Sequence, residues 1–451
     1  MKTVTPSPST SKKSGQPTRG QARFAFTVLL IINILNYADR YVLPAILRKI
    51  QASPQLGGLG ISDFEAGLIG SSFLIVYALA TLPIGIWADK SPRKIIVALC
   101  VGVWSIATVL AGITRNFIQL FSVRSILGIG EAGYAPASLS LLGDYFHKEH
   151  RGRVLSFWSA GTLIGSALGF TMGGLIADAF GWRWAFFVVG IPGLIAAFLS
   201  WRMTEPKRGV FDGGEDEEES EVDVAHGHIT VGQGLWSTAK QLLRIPTYLT
   251  LLGALTFSFF TIGGTSYWLP SYFQDSFHLS PGQAGSISGA VLVSGGLLGT
   301  VIGGWLADLV QRWMPEGRML VATIGFLLGA PLVLIALFIH TLPLFVTMFI
   351  AAAVFLSFCT GPLNAVIQDV IRPDLRATAV GLSLLFAHLL GDAASPALIG
   401  FISDHHNHDL GFALLITAPT ALLLAGLVCL IGLRSVARDM KAMQKQIKQR
   451  L

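Results

Sequence analysis

Four charged residues lie deep inside apolar runs of the first half of the chain. Asp39 and Arg40 follow each other in Asn36-Tyr-Ala-Asp39-Arg40-Tyr, and Arg124 and Glu131 bracket Arg124-Ser-Ile-Leu-Gly128-Ile-Gly130-Glu131. An ionisable group in the middle of such a run costs about 2.5–3.5 kcal/mol, so it is there for a reason. Arg124 and Glu131 are two helical turns apart and share a face. An acid paired with a guanidinium away from water can act as a proton switch: protonating the acid frees the guanidinium, which can then grip a phosphate or carboxylate through two parallel hydrogen bonds. Asp39 and Glu131 are therefore the expected proton carriers. Arg40 and Arg124 are their charge partners and the expected contacts for an anionic headgroup, with Asn36 and Tyr37 lining the same cavity. The alternative is a pair of fixed ion bridges that only order the helices.

Other residues offer weaker chemistry. His388 and Asp392 stand one helical turn apart in a later apolar run, and Thr265, Tyr267 and Trp268 precede them in another. These five are expected to line a cavity and read substrate shape, with His388 either titrating or held in a fixed hydrogen bond. His405, His406 and His408 cluster in a short polar loop, where no metal site is expected. Cys100, Cys359 and Cys429 sit in apolar runs without ligand spacing and read as small buried side chains. Gly128-Ile-Gly130-Glu-Ala-Gly133 matches a dinucleotide fingerprint, and Glu149 follows near the right distance. That fingerprint needs a strand before it, and here it lies in a continuous apolar run, so helix packing is the reading. There is no Gly-x-Ser-x-Gly elbow and no phosphate-binding Gly-x-x-x-x-Gly-Lys-(Ser/Thr) loop. Neither an enzyme nor an ATP-driven pump is expected. No cofactor or metal is expected, the driving force being a proton gradient.

The elements that must position these groups follow from composition. Of 451 residues, 52% are hydrophobic and 13% charged, the mean hydropathy is +0.62, and 50 residues are glycine. Half the usual charged fraction cannot cover a water-facing surface, which excludes a cytosolic enzyme, a secreted disulfide scaffold and a disordered chain. An integral membrane protein remains. Twelve stretches are long enough to cross a bilayer: 24–47, 64–87, 95–114, 117–143, 152–179 and 183–203, then 246–272, 281–309, 318–340, 343–370, 377–403 and 410–433. Residues 1–23 hold no apolar core and form a tail rather than a signal peptide. By location, 26 of the 32 Lys and Arg fall on the side of the two termini and four on the opposite side, which places both termini in the cytoplasm. The basic groups form short clusters between apolar runs, so no nucleic-acid partner is expected. The divisions are a tail over 1–23, six helices over 24–203, a cytoplasmic linker over 204–245, six helices over 246–433 and a basic tail over 434–451. The linker carries the acidic run Asp212 to Glu221 and an amphipathic helix around Leu235, Trp236, Ala239, Leu242 and Leu243, expected on the inner leaflet. In the last segment Arg434, Arg438, Lys441, Lys445 and Lys448 form one basic stripe, suited either to an anionic membrane surface or to water.

The halves repeat. Asp144-x6-Arg151 recurs 225 residues later as Asp369-x6-Arg376, and Gly85-Ile-Trp-Ala-Asp89 is echoed by Gly304-Trp-Leu-Ala-Asp308. Two related bundles suggest rocking about a site between them. Gly85-Ile-Trp-Ala-Asp89-Lys90-Ser-Pro-Arg93-Lys94 resembles the signature loop of the major facilitator superfamily, with Ser91-Pro92 departing from its x-Gly. Arg124-x3-Gly-x-Gly is similar to that superfamily's fourth-span pattern. Gly161, Gly165, Gly169, Gly173 and Gly174 resemble its antiporter motif, but Phe170 replaces the proline, so antiport is not assigned. Asn36-Tyr-Ala-Asp39-Arg40, Glu131 and the stretch from His388 to Asp404 resemble the Spinster branch. The resemblance implies an all-α membrane protein of twelve helices in two pseudo-symmetric six-helix bundles. It also implies a cytoplasmic gate at Asp89, Arg93, Asp144, Arg151, Asp308, Asp369 and Arg376.

The expected function is proton-coupled transport of an amphiphilic lipid, lysophospholipid or sphingosine-phosphate-like, by a monomer in the cell membrane. The charged first bundle would hold the headgroup and the apolar second bundle the tail. A symporter of small organic anions and a non-transporting receptor or scaffold stay open.

Overall fold

The computed structural model describes residues 17–211 and 233–448 of the chain. Secondary structure there is helical. In the first half the helices are α1 Arg19–Gln51, α2 Asp63–Lys90, α3 Arg93–Ala111, α4 Phe117–Ala132, α5 Tyr134–Tyr145, α6 Lys148–Phe180 and α7 Trp182–Trp201. A short α8, Gln233–Leu242, precedes the second half. That half holds α9 Pro246–Phe277, α10 Pro281–Gln311, α11 Gly317–Leu337, α12 Leu342–Ser357, α13 Thr360–Val370, α14 Arg376–Phe386, α15 Ser395–His405 and α16 Leu410–Lys448. Among the described residues, eleven helical stretches are long and apolar enough to cross a membrane, α12–α13 and α14–α15 each counting as one. The remaining stretch, 117–143, is covered by α4 and α5, which meet at Gly133. The chain is a multi-pass, all-α membrane protein.

Local sequence sets the helix ends. Thr18 and Gln21 form a capping box at the start of α1, Ser62 and Glu65 at α2, and Ser280 and Gln283 at α10: each hydroxyl accepts from a free N–H of the first turn, and each Gln or Glu side-chain oxygen accepts from the capping residue's own N–H. α1 therefore begins five residues before its apolar run. α8 confirms a helix in the linker, although the acidic run lies outside the described residues. The basic tail continues α16 as one helix. Its Arg434, Arg438, Lys441 and Lys445 are exposed, while Asp439 accepts from the backbone N–H of Thr247 at 3.1 Å and docks the tail on the start of α9.

Packing between helices relies on small residues. Gly165 and Gly169 of α6 lie against the Ile34 and Ala38 carbonyls, so α1 and α6 touch backbone to backbone. That contact turns Asp39, the next residue on α1, toward α3 and α4. The glycines of the fourth span pack likewise: Gly128 against Phe73 and Tyr77 of α2, and Gly130 against Trp104 of α3. The fingerprint-like spacing thus serves helix packing. Cys100, Cys359 and Cys429 are buried and form no disulfide among the described residues. Spans four and ten both break at equivalent points, Gly133 and Phe358, 225 residues apart.

Candidate functional site

The four charges of α1 and α4 meet in two crossed pairs. Arg40 Nε lies 2.6 Å from Glu131 Oε2, and Arg124 Nη1 lies 3.4 Å from Asp39 Oδ1. Neighbours on a helix point about 100° apart, so Asp39 and Arg40 cannot share one partner; each reaches a different turn of α4. Asp39 also accepts a hydrogen bond from the Thr108 hydroxyl of α3. Asp39, Arg124 and Glu131 are buried, whereas the Arg40 side chain keeps 20% exposure. Its guanidinium sits over the rings of Tyr37, Phe73 and Tyr77 at 5.2, 5.3 and 4.8 Å, where aromatic faces stabilise a cation partly shielded from water. Three buried polar atoms here have no hydrogen-bond partner: Glu131 Oε1, Arg124 Nε and Asn36 Nδ2. Buried polar atoms of this kind are costly to leave unpaired. Below them, Asn33 accepts from the Tyr134 hydroxyl at 2.5 Å and donates to the Trp158 carbonyl at 2.6 Å, which fixes α1 against α5 and α6.

The second half presents a different surface. An apolar cavity of about 100 Å³ lies among α9, α10, α11 and α12, with Phe170 of α6 at its edge. Its wall includes Thr265, Phe349 and Leu356, the residues 225 positions beyond Arg40, Arg124 and Glu131. Thr265 turns its hydroxyl to the Thr261 carbonyl at 2.5 Å, leaving an apolar face to the cavity. Tyr267 and Trp268, expected in a substrate cavity, have their polar atoms committed elsewhere. Tyr267 donates to the Ala66 carbonyl of α2 at 2.5 Å, tying the halves together, and Trp268 donates to the Pro396 carbonyl at 3.0 Å. His388 Nδ1 and Asp392 Oδ2 are 2.7 Å apart, within a π-helical turn, Ala387–Asp392, between α14 and α15.

The gate residues form matched clusters at the end that carries the termini. Arg93 pairs with Asp144 and with Glu205 at 2.9 Å, and also donates to Ser140 Oγ at 2.9 Å and the Pro206 carbonyl at 3.1 Å. Arg318, 225 residues later, pairs with Asp369 at 2.7 Å and Asp308 at 3.0 Å. Arg151 Nε donates to the Phe146 carbonyl and Arg376 Nε to the Ile371 carbonyl, the same five-residue step in both halves. The Asp89 side chain lies outside the described ones. Arg318 and Glu205 escaped the sequence reading; the 225-residue offset applied to Arg93 would have found the first.

Hydrogen bonds and ion pairs joining the halves gather at the opposite end. Arg48 of α1 pairs with Asp275 of α9 and, at 2.6 Å, with Asp63 of α2. Ser403 donates to Asp63 at 2.6 Å. Asp404 accepts from the backbone N–H groups of Asp63 and Phe64 at 3.1 and 2.9 Å. Asp178 of α6 accepts from the Gly282 amide of α10 at 2.8 Å. Asp63, Asp404 and His408 stand close together there, and their carboxylates are occupied by these donors. Apart from Arg48 with Asp63, 15 positions apart, each of these contacts joins residues more than 100 positions apart, so none was legible in the sequence.

The comparisons agree with this architecture. The family model of the Major Facilitator Superfamily matches residues 29–396. Protein spinster of Drosophila melanogaster is 29% identical over 394 residues, covering 84% of this chain; the chain spans 62% of that protein's length. A Danio rerio protein named as a sphingosine-1-phosphate transporter is 30% identical over 454 residues, covering 94% of this chain and 86% of the relative. A crystal structure of a bacterial homologue of the human lysosomal transporter Spinster, inward-facing and unoccupied, has a TM-score of 0.76 at 23% identity, covering 95% of this chain and 99% of that one. A peptide transporter structure has a TM-score of 0.70 at 15% identity, covering 92% and 95%. Two bundles with matched ion clusters at one end, a charged site in one bundle and these relatives lead to one assignment: the chain belongs to the Major Facilitator Superfamily, in its Spinster-like branch.

Proposed function

We propose that the chain is a proton-coupled transporter of amphiphilic lipids, carrying a lysophospholipid or sphingosine-phosphate-like molecule by alternating access. The observation that carries this reading is the contrast between equivalent positions. Arg40, Arg124 and Glu131 make a charged, partly unsatisfied site in one half. Their counterparts Thr265, Phe349 and Leu356 line an apolar cavity in the other. A headgroup and a hydrocarbon tail ask for these two surfaces. Burial of each methylene contributes about 0.8 kcal/mol, so an apolar wall favours a hydrocarbon chain over a small organic anion.

Glu131 is the expected proton carrier paired with the more exposed arginine, Arg40. A proton on its unpartnered Oε1 neutralises the carboxyl and loosens Arg40, whose freed guanidinium can take a phosphate in two parallel hydrogen bonds. Asp39 does the same for Arg124. The name of the Danio rerio relative supports a phosphate-bearing lipid. The contacts between halves at the end away from the termini fit a state open toward the termini. With the termini cytoplasmic, as the basic residues favour, that state is inward-open, in the cell membrane, and a monomer suffices for it.

The test is flux in liposomes under an imposed pH gradient, with a panel of lysolipids and small organic acids. Lysolipid uptake that follows the gradient is expected, and Glu131→Gln and Asp39→Asn should each uncouple it. Gradient-driven uptake left intact by both variants would end the proton-switch reading, and uptake of small acids alone would end the lipid one.

A further inference from the structure

Thr108 of α3 holds its hydroxyl between two acceptors. It donates to Asp39 Oδ2, and the Trp104 carbonyl one turn back lies 3.0 Å from the same oxygen. A hydroxyl carries one hydrogen, so it serves one acceptor at a time and keeps lone pairs free for a donor. Thr108 and Asp39 are both 0% exposed. The other carboxylate oxygen of Asp39, Oδ1, is turned to Arg124 at 3.4 Å. Arg124 and Glu131 of α4 and Arg40 of α1 are the charged groups that face Asp39; α3, α6 and α7 carry their charges only near their ends. Glycines hold this turn of α3 from two sides. Gly130 of α4 lies against the Trp104 backbone, and Gly190 and Gly193 of α7 lie against Ser105.

The repeat separates the task of the hydroxyl from that of packing. The residues 225 positions beyond Asp39 and Thr108 are Gly264 and Val333. Val333 is buried on α11, the counterpart of α3, and has the shape of threonine with a methyl in place of the hydroxyl. Where the carboxyl is missing the hydroxyl is missing too, and the helix packs without it.

A buried carboxyl that gains and loses a proton must be satisfied in both forms, because an unpaired polar group is costly in either. Ionised, Oδ2 needs a donor. Protonated, it needs an acceptor for its O–H. Thr108 can be each in turn. With a proton on Oδ2, the carboxyl O–H donates to Thr108 Oγ1, and the hydroxyl hydrogen swings to the Trp104 carbonyl. Thr108 keeps its own hydrogen throughout, and the added proton stays on Asp39.

We infer that Thr108 is the positioning residue for proton uptake at Asp39: its hydroxyl directs the proton to Oδ2 and reverses its hydrogen bond when the proton arrives. This rests on the proton-switch reading above and deepens it, because it names the atom that is protonated and leaves Oδ1 facing Arg124.

The experiment follows the carboxyl itself, in purified protein without substrate. The infrared C=O band of protonated Asp39, identified as the band missing in Asp39→Asn, is titrated against pH. Thr108→Val removes the hydroxyl and keeps the shape found at Val333. A hydrogen bond to an ionised group is roughly twice as strong as one between neutral groups, so the ionised form loses more and the proton binds at higher pH. The midpoint of the band should rise by about one pH unit, a tenfold change in proton affinity. Thr108→Ser keeps the hydroxyl and should titrate with the unaltered protein. Thr108→Cys, a weak donor, should fall between Ser and Val. The pH midpoint of gradient-driven uptake should follow the same order. A Val midpoint equal to that of the unaltered protein overturns the inference, as does a Ser shift as large as that of Val. Should Val not fold, equal midpoints for Ser and Cys overturn it as well. A titrating band that the variants leave unmoved sinks this inference and spares the proton switch, whereas no band at any pH sinks both.

Discussion

Asp404 is a helix cap lent by one half of the molecule to the other. It ends α15, and its carboxylate takes the first two backbone amides of α2, those of Asp63 and Phe64, at 3.1 and 2.9 Å. Ser62 takes the third, that of Glu65, at 3.2 Å. When the halves part at this end, α2 loses two of its three acceptors to water. Replacing a capping side chain by alanine costs about 0.5–2 kcal/mol. Removing a negative charge from a helix N-terminus costs about a further 0.3–1 kcal/mol. Asp404→Ala should therefore weaken closure at this end by about 1–3 kcal/mol, a shift of roughly 5- to 150-fold in the equilibrium between closed and open. Asp404→Asn keeps a capping oxygen and loses only the charge, so its shift should be about 2- to 5-fold. Spin labels at Leu56 and Ser276, both exposed and on different halves, report the distance by pulsed electron resonance. The long-distance population should grow in the order unaltered, Asn, Ala. An Ala variant of normal stability with an unchanged distribution, or an Asn shift equal to that of Ala, would refute the reasoning.

Three further outcomes follow from the same geometry. Gly296 lines the apolar cavity and a Cβ there meets nothing within 4 Å, so Gly296→Leu should fill the cavity without moving a helix. Displacing about three methylenes should cut affinity for long-chain substrates by about 2–3 kcal/mol, roughly 30- to 150-fold, and leave short-chain analogues within a few-fold, as read by competition in liposomes. Gly285 of α10 faces the Phe170 carbonyl across the halves, whereas Gly304 on the same helix faces open space. Gly285→Ala should lower the thermal midpoint and open that end, and Gly304→Ala should do neither, as scored by melting and by the same spin-label pair. Arg93 is 2% exposed with a partner at 9%, while Arg318 is 26% exposed with partners at 26% and 67%. Arg93→Gln should thus destabilise by about 3–5 kcal/mol and Arg318→Gln by about 1 kcal/mol or less, a ranking that thermal unfolding in detergent checks.

How much of this could be seen in the chain depends on the range of the contacts. The bundles, their repeat and the four central charges were legible, because hydropathy, spacing and the cost of a charge in an apolar run are local properties. That Arg124 and Glu131 share a face was also legible, since the helical period fixes it. Which acid meets which arginine was not, because α1 can be rotated freely until the glycine stripe of α6 docks on Ile34 and Ala38. Tyr267 and Trp268 looked like cavity residues because aromatic polar groups in a span are rare. The structure ties each to a backbone carbonyl, an acceptor that exists at every position and leaves no mark in a sequence. The cap supplied by Asp404 escaped for the same reason.

The 225-residue offset also explains why the charge set of α1 and α4 has no counterpart in the other half. Where the repeat is kept, at Arg93 and Arg318, Asp144 and Asp369, Arg151 and Arg376, the groups hold each half's own terminal end together, a task both halves share. Where it is broken, at Arg40 and Thr265, Arg124 and Phe349, Glu131 and Leu356, a charged site in one half stands against an apolar cavity wall in the other, as the proposed amphiphile requires. A proton switch in both halves would place four mid-membrane acids around a hydrocarbon tail, each costing a few kcal/mol with no headgroup to justify it. One charged wall opposite an apolar one avoids that cost and would hold the proposed amphiphile in a single orientation. Exchanging Phe349 for arginine would therefore not create a second headgroup site. It would bury an unpaired cation beside Thr265 and Leu356, and the protein should respond by losing stability rather than by widening its substrate range.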